Sequence, residues 1–418
     1  MSISEDTASQ ARSSKVVWDN LESFVRGEVQ QFIQALLEEE VTELLGRTKN
    51  ERRSEPQSVP VYRNGHGKPR RLCLSSGTVE VRRPRVRGLE ERFESRLLPL
   101  FARRTSHVAE LLPQLYLHGL AQGDFELALR GLLGEGAPLS GSSVARLKES
   151  WQEQYRVWKA QPLGEREVVY LWVDGIYVKA GLEKEKAALL VVIGALADGS
   201  KVVLAVEAGQ RESIESWSSI LRNLKARGMN CPKLVIGDGH LGIWGALANV
   251  YPDAKEQRCW NHRTLNVLDR IPKKDESAAR VLLTGIVYAE TREEAERLKG
   301  KFQEWCRKKG CEKAGELLEE DWERMVAYYS FPQEHWRHLR TTNIVESPFA
   351  AVRLRTTAAK RYKKVENATA VIWKLLRVAE SRFRKLNAPE FAAEVAAGAI
   401  YADGMRVTPQ QEQSRLAA

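Results

Sequence analysis

Three carboxylates, Asp174, Asp238 and Glu346, stand where a charge is costly unless it has work to do. Asp174 follows the apolar run Val168–Val173, and Asp238 follows the run 233–237. Both runs have the length, β-branched content and glycine boundaries of buried strands. Each aspartate precedes a glycine, Gly175 and Gly239, so a sharp turn and the close approach of another group are expected at both. Glu346 closes the segment Thr-Thr-Asn-Ile-Val-Glu, residues 341–346, just ahead of a basic stretch. Carboxylates gathered within a few ångströms repel one another and raise the pKa of at least one, a cost that Mg²⁺ relieves through oxygen ligands and water. A pair of such ions about 4 Å apart can activate a water or a 3′-hydroxyl and steady the leaving oxygen of an in-line displacement at phosphorus. On this reading Asp174 bridges two Mg²⁺ ions, for which Mn²⁺ can substitute, and Asp238 and Glu346 each hold one.

Basic residues lie close by in sequence. Arg353 and Arg355 precede Lys360, Arg361, Lys363 and Lys364, with no acid among them, so the stretch could bring a phosphate backbone to the metals. A solvated helix face is the alternative. Earlier, residues 63–71 and 79–87 are basic, rich in Gly and Pro, and flank a hairpin expected around Gly77. Arg70, Arg71, Arg82, Arg83 and Arg85 are the candidates there for gripping phosphates, against an ordinary solvated ribbon.

Cys259 and His262 have the spacing of half a zinc site. Cys306 and Cys311 could be offered to complete it, but their spacing within an expected helix is awkward for tetrahedral zinc. The favoured reading has the pair fixing a strand–helix join. His240, two residues after Asp238, could touch DNA or a phosphate, or simply be hydrogen-bonded at a helix start.

The elements that must position these groups follow from periodicity. The chain of 418 residues allows two or three domains. Its net charge of +10 is moderate, so the clustering of charge says more than the sum. Five irregularly spaced cysteines make no disulfide framework. No apolar stretch is long enough for a membrane helix and no secretory signal opens the chain, so a cytoplasmic protein is expected. Residues 1–14 read as a disordered tail and 15–90 as a long amphipathic helix with a basic β-ribbon. That helix could pack on its own domain or dimerise. Residues 91–160 read as a helical DNA-binding region, compatible with a helix-turn-helix around 134–138 or with an ordinary helix pair.

Residues 161–263 then give strands at Val168–Asp174, Ala187–Ala195 and Lys201–Glu207, a helix at Glu212–Arg227, a strand ending at Asp238, a helix at Leu241–Val250 and a short strand at Ala254–Cys259. Three antiparallel strands followed by alternating helices and parallel strands describe a ribonuclease-H-like mixed sheet. In it the first and fourth strands are neighbours, which brings Asp174 beside Asp238. Residues 264–340 read as a helical insertion, 341–405 as the rest of the core with Glu346 and a basic helix, and 406–418 as a loose tail. The expected class is an α/β catalytic core behind a mainly helical N-terminal DNA-binding region.

The ordered set of motifs resembles the Mutator-type transposases of bacterial insertion sequences. It comprises Val173–Tyr177, Gly237–Trp244, Gln257–His262, Thr341–Ser347 and Val352–Thr356, with Tyr62–Gly65 earlier. The resemblance implies a DDE triad on Asp174, Asp238 and Glu346, a Cys-x-x-His pair on Cys259 and His262, and a ribonuclease-H-like fold interrupted before the glutamate. It further implies Mg²⁺-dependent cleavage at terminal inverted repeats of double-stranded DNA and transfer of 3′-ends into target DNA. Both DNA ends must be held together for this, so a homodimer or larger assembly on the nucleoid is expected. Pro348 departs from the family's helical placement of the glutamate. Either Asn343 caps a helix that Pro348 kinks, or Ser347 caps it with Pro348 in its first turn and Glu346 outside. Two other classes compete: a ribonuclease-H-like nuclease or junction resolvase, and a catalytically retired DNA-binding relative.

Overall fold

The computed structural model describes residues 18–51, 61–121, 124–133, 141–181, 186–209, 211–239 and 241–407. His240, the turn expected at 134–138 and the tail 1–14 lie outside the described residues, as does the C-terminal tail from residue 408. The chain divides into two compact units, Met1–Leu147 and Lys148–Ala418.

In the first unit a long helix, α1 (Leu21–Leu45), ends at Gly46 in the left-handed conformation. Four short strands follow, β1 (Tyr62–His66), β2 (Arg70–Leu74), β3 (Gly77–Val81) and β4 (Pro84–Arg87). The pairs β1–β4 and β2–β3 are antiparallel, with Leu74 opposite Gly77 at the hairpin turn. Leu37 of α1 packs with Leu72, Val79, Val81 and Leu98. Gln34 of the same helix accepts from the Arg82 N–H and donates to its carbonyl, both at 2.9 Å, serving the ribbon as a neighbouring strand would. The C-terminal half of α1 therefore packs on its own ribbon. Its N-terminal half leaves Phe24, Val25 and Phe32 exposed. Helices α2 (Ser106–Leu117) and α3 (Phe125–Leu133) follow.

After helix α4 (Gly141–Lys159) comes a five-stranded mixed sheet. Its strands are β5 (Val168–Val178), β6 (Ala187–Leu196), β7 (Lys201–Gly209), β8 (Leu234–Gly237) and β9 (Lys255–Arg258), in the order β7-β6-β5-β8-β9. The first three pair antiparallel, while β8 runs parallel to both β5 and β9. β5, β6 and β8 are apolar on both faces because both faces are covered. On one face Leu171, Val173, Val192 and Val235 pack under α5 (Ile214–Ala226) and α6 (Leu241–Val250). On the other, Tyr170 meets His335 Nδ1 at 2.9 Å and the Trp172 indole donates to the His338 carbonyl at 2.9 Å.

The remaining chain is mainly helical: α7 (Trp260–Leu268), α8 (Glu276–Val287), α9 (Arg292–Lys309), α10 (Glu312–Glu319), α11 (Trp322–Met325), α12 (Trp336–Leu339), α13 (Asn343–Glu346), α14 (Phe349–Ala359) and α15 (Val365–Glu380). Among the described residues no helix is long and apolar enough to cross a membrane. All five cysteines are free thiols.

Candidate active site

The parallel register pairs Tyr170 with Leu234, Leu171 with Val235 and Trp172 with Ile236. Extended by two residues, that register would set Asp174 against Asp238. β8 stops at Gly237, and Asp238 leaves the sheet toward Gly239, whose φ of +98° supplies the expected turn. β5 corrects the other expectation. It runs four residues past Asp174 to Val178, since β6 keeps pairing with it through Val178 and Ala187. No turn occurs at Gly175. Its missing side chain instead admits Glu212, because a Cβ there would lie 2.6 Å from Glu212 Oε1.

Glu346 arrives from far along the chain, and Cys259 is what receives it. The Cys259 N–H donates to the Gly237 carbonyl at 2.8 Å, just before Asp238. Its fully buried sulfur accepts the Thr342 N–H at 3.4 Å and lies 3.1 Å from Thr342 Oγ1. Thr342 is the N-cap residue of the single turn α13, and its hydroxyl also bonds the Glu346 carboxylate. Neither arrangement expected around Pro348 is the one formed. Thr342 starts the turn, Glu346 closes it, and Pro348 stands immediately before α14, where a residue without an N–H is tolerated. The break leaves Glu346 at the edge of a short turn facing the strand ends.

His262, in the first turn of α7, links the acids. Its Nδ1 lies 3.2 Å from Asp238 Oδ1, within ion-pair reach though off the line of a hydrogen bond, and 3.9 Å from Glu346 Oε1. A hydrogen bond with Cys259 and the charges of Asp238 and Glu346 push the imidazole up to about 9, against the opposing effect of burial. Asp174 is pushed up to about 7, first by burial and then by Glu212 and Glu346; the Gly175 N–H, donating at 2.8 Å, and the more distant His262 act the other way. Cys259, His262 and Glu346 place their ligand atoms within 4.8 Å of one another, and Cys306 and Cys311 take no part in that group. The Cys311 thiol instead donates to the Cys306 carbonyl at 3.5 Å. A cleft of about 470 Å³ opens beside His262 and Glu346, walled by Trp260, Asn261, Arg280 and Tyr288.

Comparison with known proteins assigns the family. Residues 2–385 match the family described as Transposase, Mutator family. The transposase for insertion sequence element IS6120 of Mycolicibacterium smegmatis is 44% identical over 297 residues, covering 71% of this chain and 92% of the relative. That for IST2 of Acidithiobacillus ferrooxidans is 39% identical over 280 residues, 66% of this chain and 94% of the relative. That for ISRM5 of Rhizobium meliloti is 28% identical over 353 residues, 83% and 85% respectively. The chain belongs to the Mutator family of transposases.

In this transposase the basic candidates divide. The Tyr362 N–H donates to the Lys179 carbonyl at 2.9 Å and the Gly181 N–H to the Tyr362 carbonyl at 3.0 Å. The stretch from Lys360 to Lys364 is thereby sewn to the same end of β5 that carries Asp174. Lys360, Arg361, Lys363, Lys364 and Arg353 are exposed, with one Arg361 nitrogen also donating to the Gly181 carbonyl at 3.0 Å. Arg355 is a correction. It is only 2% exposed on the inner side of α14, so it belongs to the interior and is not presented to a phosphate backbone. In the first unit Arg71, Arg82 and Arg85 are exposed and Arg83 is half-buried. Arg70 is occupied by the Pro99 and Leu100 carbonyls at 3.1 and 3.0 Å.

Two residues with a part in the site carry little signal in the sequence. Thr342 was visible only as one of two adjacent threonines. Glu212 is expected as the first residue of a helix, but that helix begins at Ile214 behind the cap Ser213, and the bare Gly175 is the trace of where the acid goes instead.

Proposed function

We propose that this transposase acts on the ends of a bacterial insertion sequence, cleaving DNA at the terminal inverted repeats and joining the 3′-ends to target DNA, with Asp174, Asp238 and Glu346 as its DDE triad on a ribonuclease-H-like core. The observation that carries the reading is the adjacency of β5 and β8, with one distant turn joined to the end of β8. Asp174 lies in β5 two residues past its last pairing with β8, Asp238 directly follows β8, and His262 spans Asp238 and Glu346.

The donor set fits a hard divalent cation. Three carboxylates offer oxygen ligands, and Asp174 is driven toward neutrality by burial and by the charges of Glu212 and Glu346, a state that a cation reverses. Asp174, Asp238 and Glu346 would hold Mg²⁺ or Mn²⁺, which when bound supplies Lewis-acid stabilisation at phosphorus and a more acidic water or 3′-hydroxyl. The protein's own groups do the rest. Protonated at neutral pH, His262 holds Asp238 and Glu346 together in spite of their like charge. Cys259 keeps the Thr342–Glu346 turn against the end of β8; its sulfur is engaged by Thr342. The exposed cations from Lys360 to Lys364 border the Asp174 end of β5, where they can take up backbone phosphates. Two element ends must be held at once, so the reaction calls for two or more copies on the nucleoid.

The test is incubation of the purified protein with its own element ends and Mg²⁺, resolving each strand of the products. Nicks leaving 3′-hydroxyls, followed by joined products, are expected. Cleavage without joining would make it a nuclease or resolvase, and end binding with no nicking in Mg²⁺ or Mn²⁺ would make it a retired DNA-binding protein.

A further inference from the structure

Glu212 has no place in the triad, yet two separate elements leave room for it. The first is β5, where a Cβ on Gly175 would lie 2.6 Å from the Glu212 carboxylate. The second is α6, where a Cβ on Gly242 would lie 2.0 Å from the Glu212 carbonyl oxygen. The backbone of Glu212 is thus pressed against one helix while its side chain crosses bare strand. Arg211, just before it, takes a φ of +61°, and Ser213, just after it, caps α5 by accepting from the Ser216 N–H. An acid that served only the start of α5 would point at the helix amides. This one turns back to β5, where the Tyr177 hydroxyl donates to its Oε1 at 3.1 Å.

Strand alternation explains the route. Leu171 and Val173 face α5 and α6, so Gly175 and Tyr177 lie on that face and Asp174 on the other. β8 stops at Gly237, and Glu212 reaches the Asp174 end of β5 across the position that has no side chain. A carboxylate held beside another carboxylate costs Coulomb energy that a shared cation offsets.

We propose that Glu212 is a fourth carboxylate of the cation site, presented across Gly175 and held by Tyr177. The proposal rests on reading Asp174, Asp238 and Glu346 as that site, and it adds an acid from the opposite face of the sheet.

Mn²⁺ binding to the full-length protein, followed by isothermal titration and by the electron paramagnetic resonance of the free ion, separates the two claims. Glu212→Gln is expected to lose one Mn²⁺ or to weaken binding by about tenfold or more. Gly175→Ala is expected to weaken it in the same direction, since the new methyl displaces the carboxylate without altering its chemistry. Tyr177→Phe should give a smaller loss. Melting in EDTA checks that each variant is folded; where Glu212→Gln is not, Glu212→Asp, with its shorter reach, is read in its place and should also bind more weakly. Wild-type Mn²⁺ affinity in the Glu212 and Gly175 variants, with binding lost in Asp238→Asn, would overturn the proposal and leave the triad standing. Wild-type affinity in Asp174→Asn and Asp238→Asn as well would remove the cation site itself.

Discussion

Asp174 lies within β5 and Asp238 directly follows the neighbouring parallel strand β8, but their surroundings are opposite. Asp238 sits at a turn with His262 3.2 Å away, and the same imidazole lies 3.9 Å from Glu346. That flank carries its own positive charge. Asp174 is half-buried within a strand; one backbone N–H donates to it, and burial with the acids Glu212 and Glu346 outweighs the opposing His262 charge. The exposed cations from Lys360 to Lys364 border this flank from the loop sewn to the end of β5. The contrast shows that clustering acids does not by itself create a uniform demand for a cation. What offsets each acid differs: an imidazole stands beside Asp238, whereas burial and two acids raise Asp174.

The harshest way to break the comparison is to remove one acid from each flank. Asp174→Asn and Asp238→Asn should each cut Mg²⁺-dependent nicking by about a thousandfold or more, the scale of several kcal/mol of lost transition-state stabilisation, while end binding stays near wild type. Near-normal nicking by either variant would take that flank out of the chemistry.

A gentler probe separates the flanks by pH. Asp174, raised from 3.8 to about 7 in the folded chain, contributes stability that is fully present below pH 4 and lost as pH rises through about 7. His262, raised from 6.5 to about 9, contributes stability that is fully present below pH 6.5 and lost as pH rises through about 9. In EDTA, the melting temperature of the wild type should therefore fall between pH 5.5 and 8 more than that of Asp174→Asn. Mg²⁺ should restore stability at pH 8 and do little at pH 5.5, where protons already occupy the carboxylate. Equal Mg²⁺ stabilisation at both pH values would erase the asymmetry.

Cys259 tests whether the Asp238 flank depends on the joint behind it. Cys259→Ala removes the sulfur that accepts the Thr342 N–H, so Glu346 should be less well placed and nicking about 10- to 100-fold slower, with binding intact. An unchanged rate would show that α13 is held by other means. The smallest effect is expected at the surface. Arg353→Ala should leave nicking of bound ends intact and reduce the slope of log binding constant against log salt by about one. An unaltered slope would return Arg353 to plain solvated surface.

Much of this arrangement was legible in the sequence. The apolar runs and their glycine boundaries located all five strands of the sheet to within a few residues, and their order placed β5 beside β8. The two aspartates stood out because acids ending apolar runs are costly. What depended on tertiary packing was hidden. Arg355 belongs to a basic string, and only the seating of α14 decides that its side chain turns inward. Pro348 signalled a break, but which residue begins the turn before it depended on Cys259, 83 positions away in the chain. Gly175 was read as a turn signal because a glycine after a strand acid usually marks one; the continued pairing with β6 and the arrival of Glu212 are long-range events that leave no local pattern.

The central claim is that Asp174, Asp238 and Glu346 share one cation-binding centre. Its most direct test is anomalous diffraction at the manganese edge from crystals of the protein bound to its element ends and soaked in Mn²⁺. The account predicts anomalous density in contact with the Asp174 and Asp238 carboxylates and within reach of Glu346. Manganese bound elsewhere, with Asp174 and Asp238 facing no ion in a well-ordered DNA complex, would contradict it.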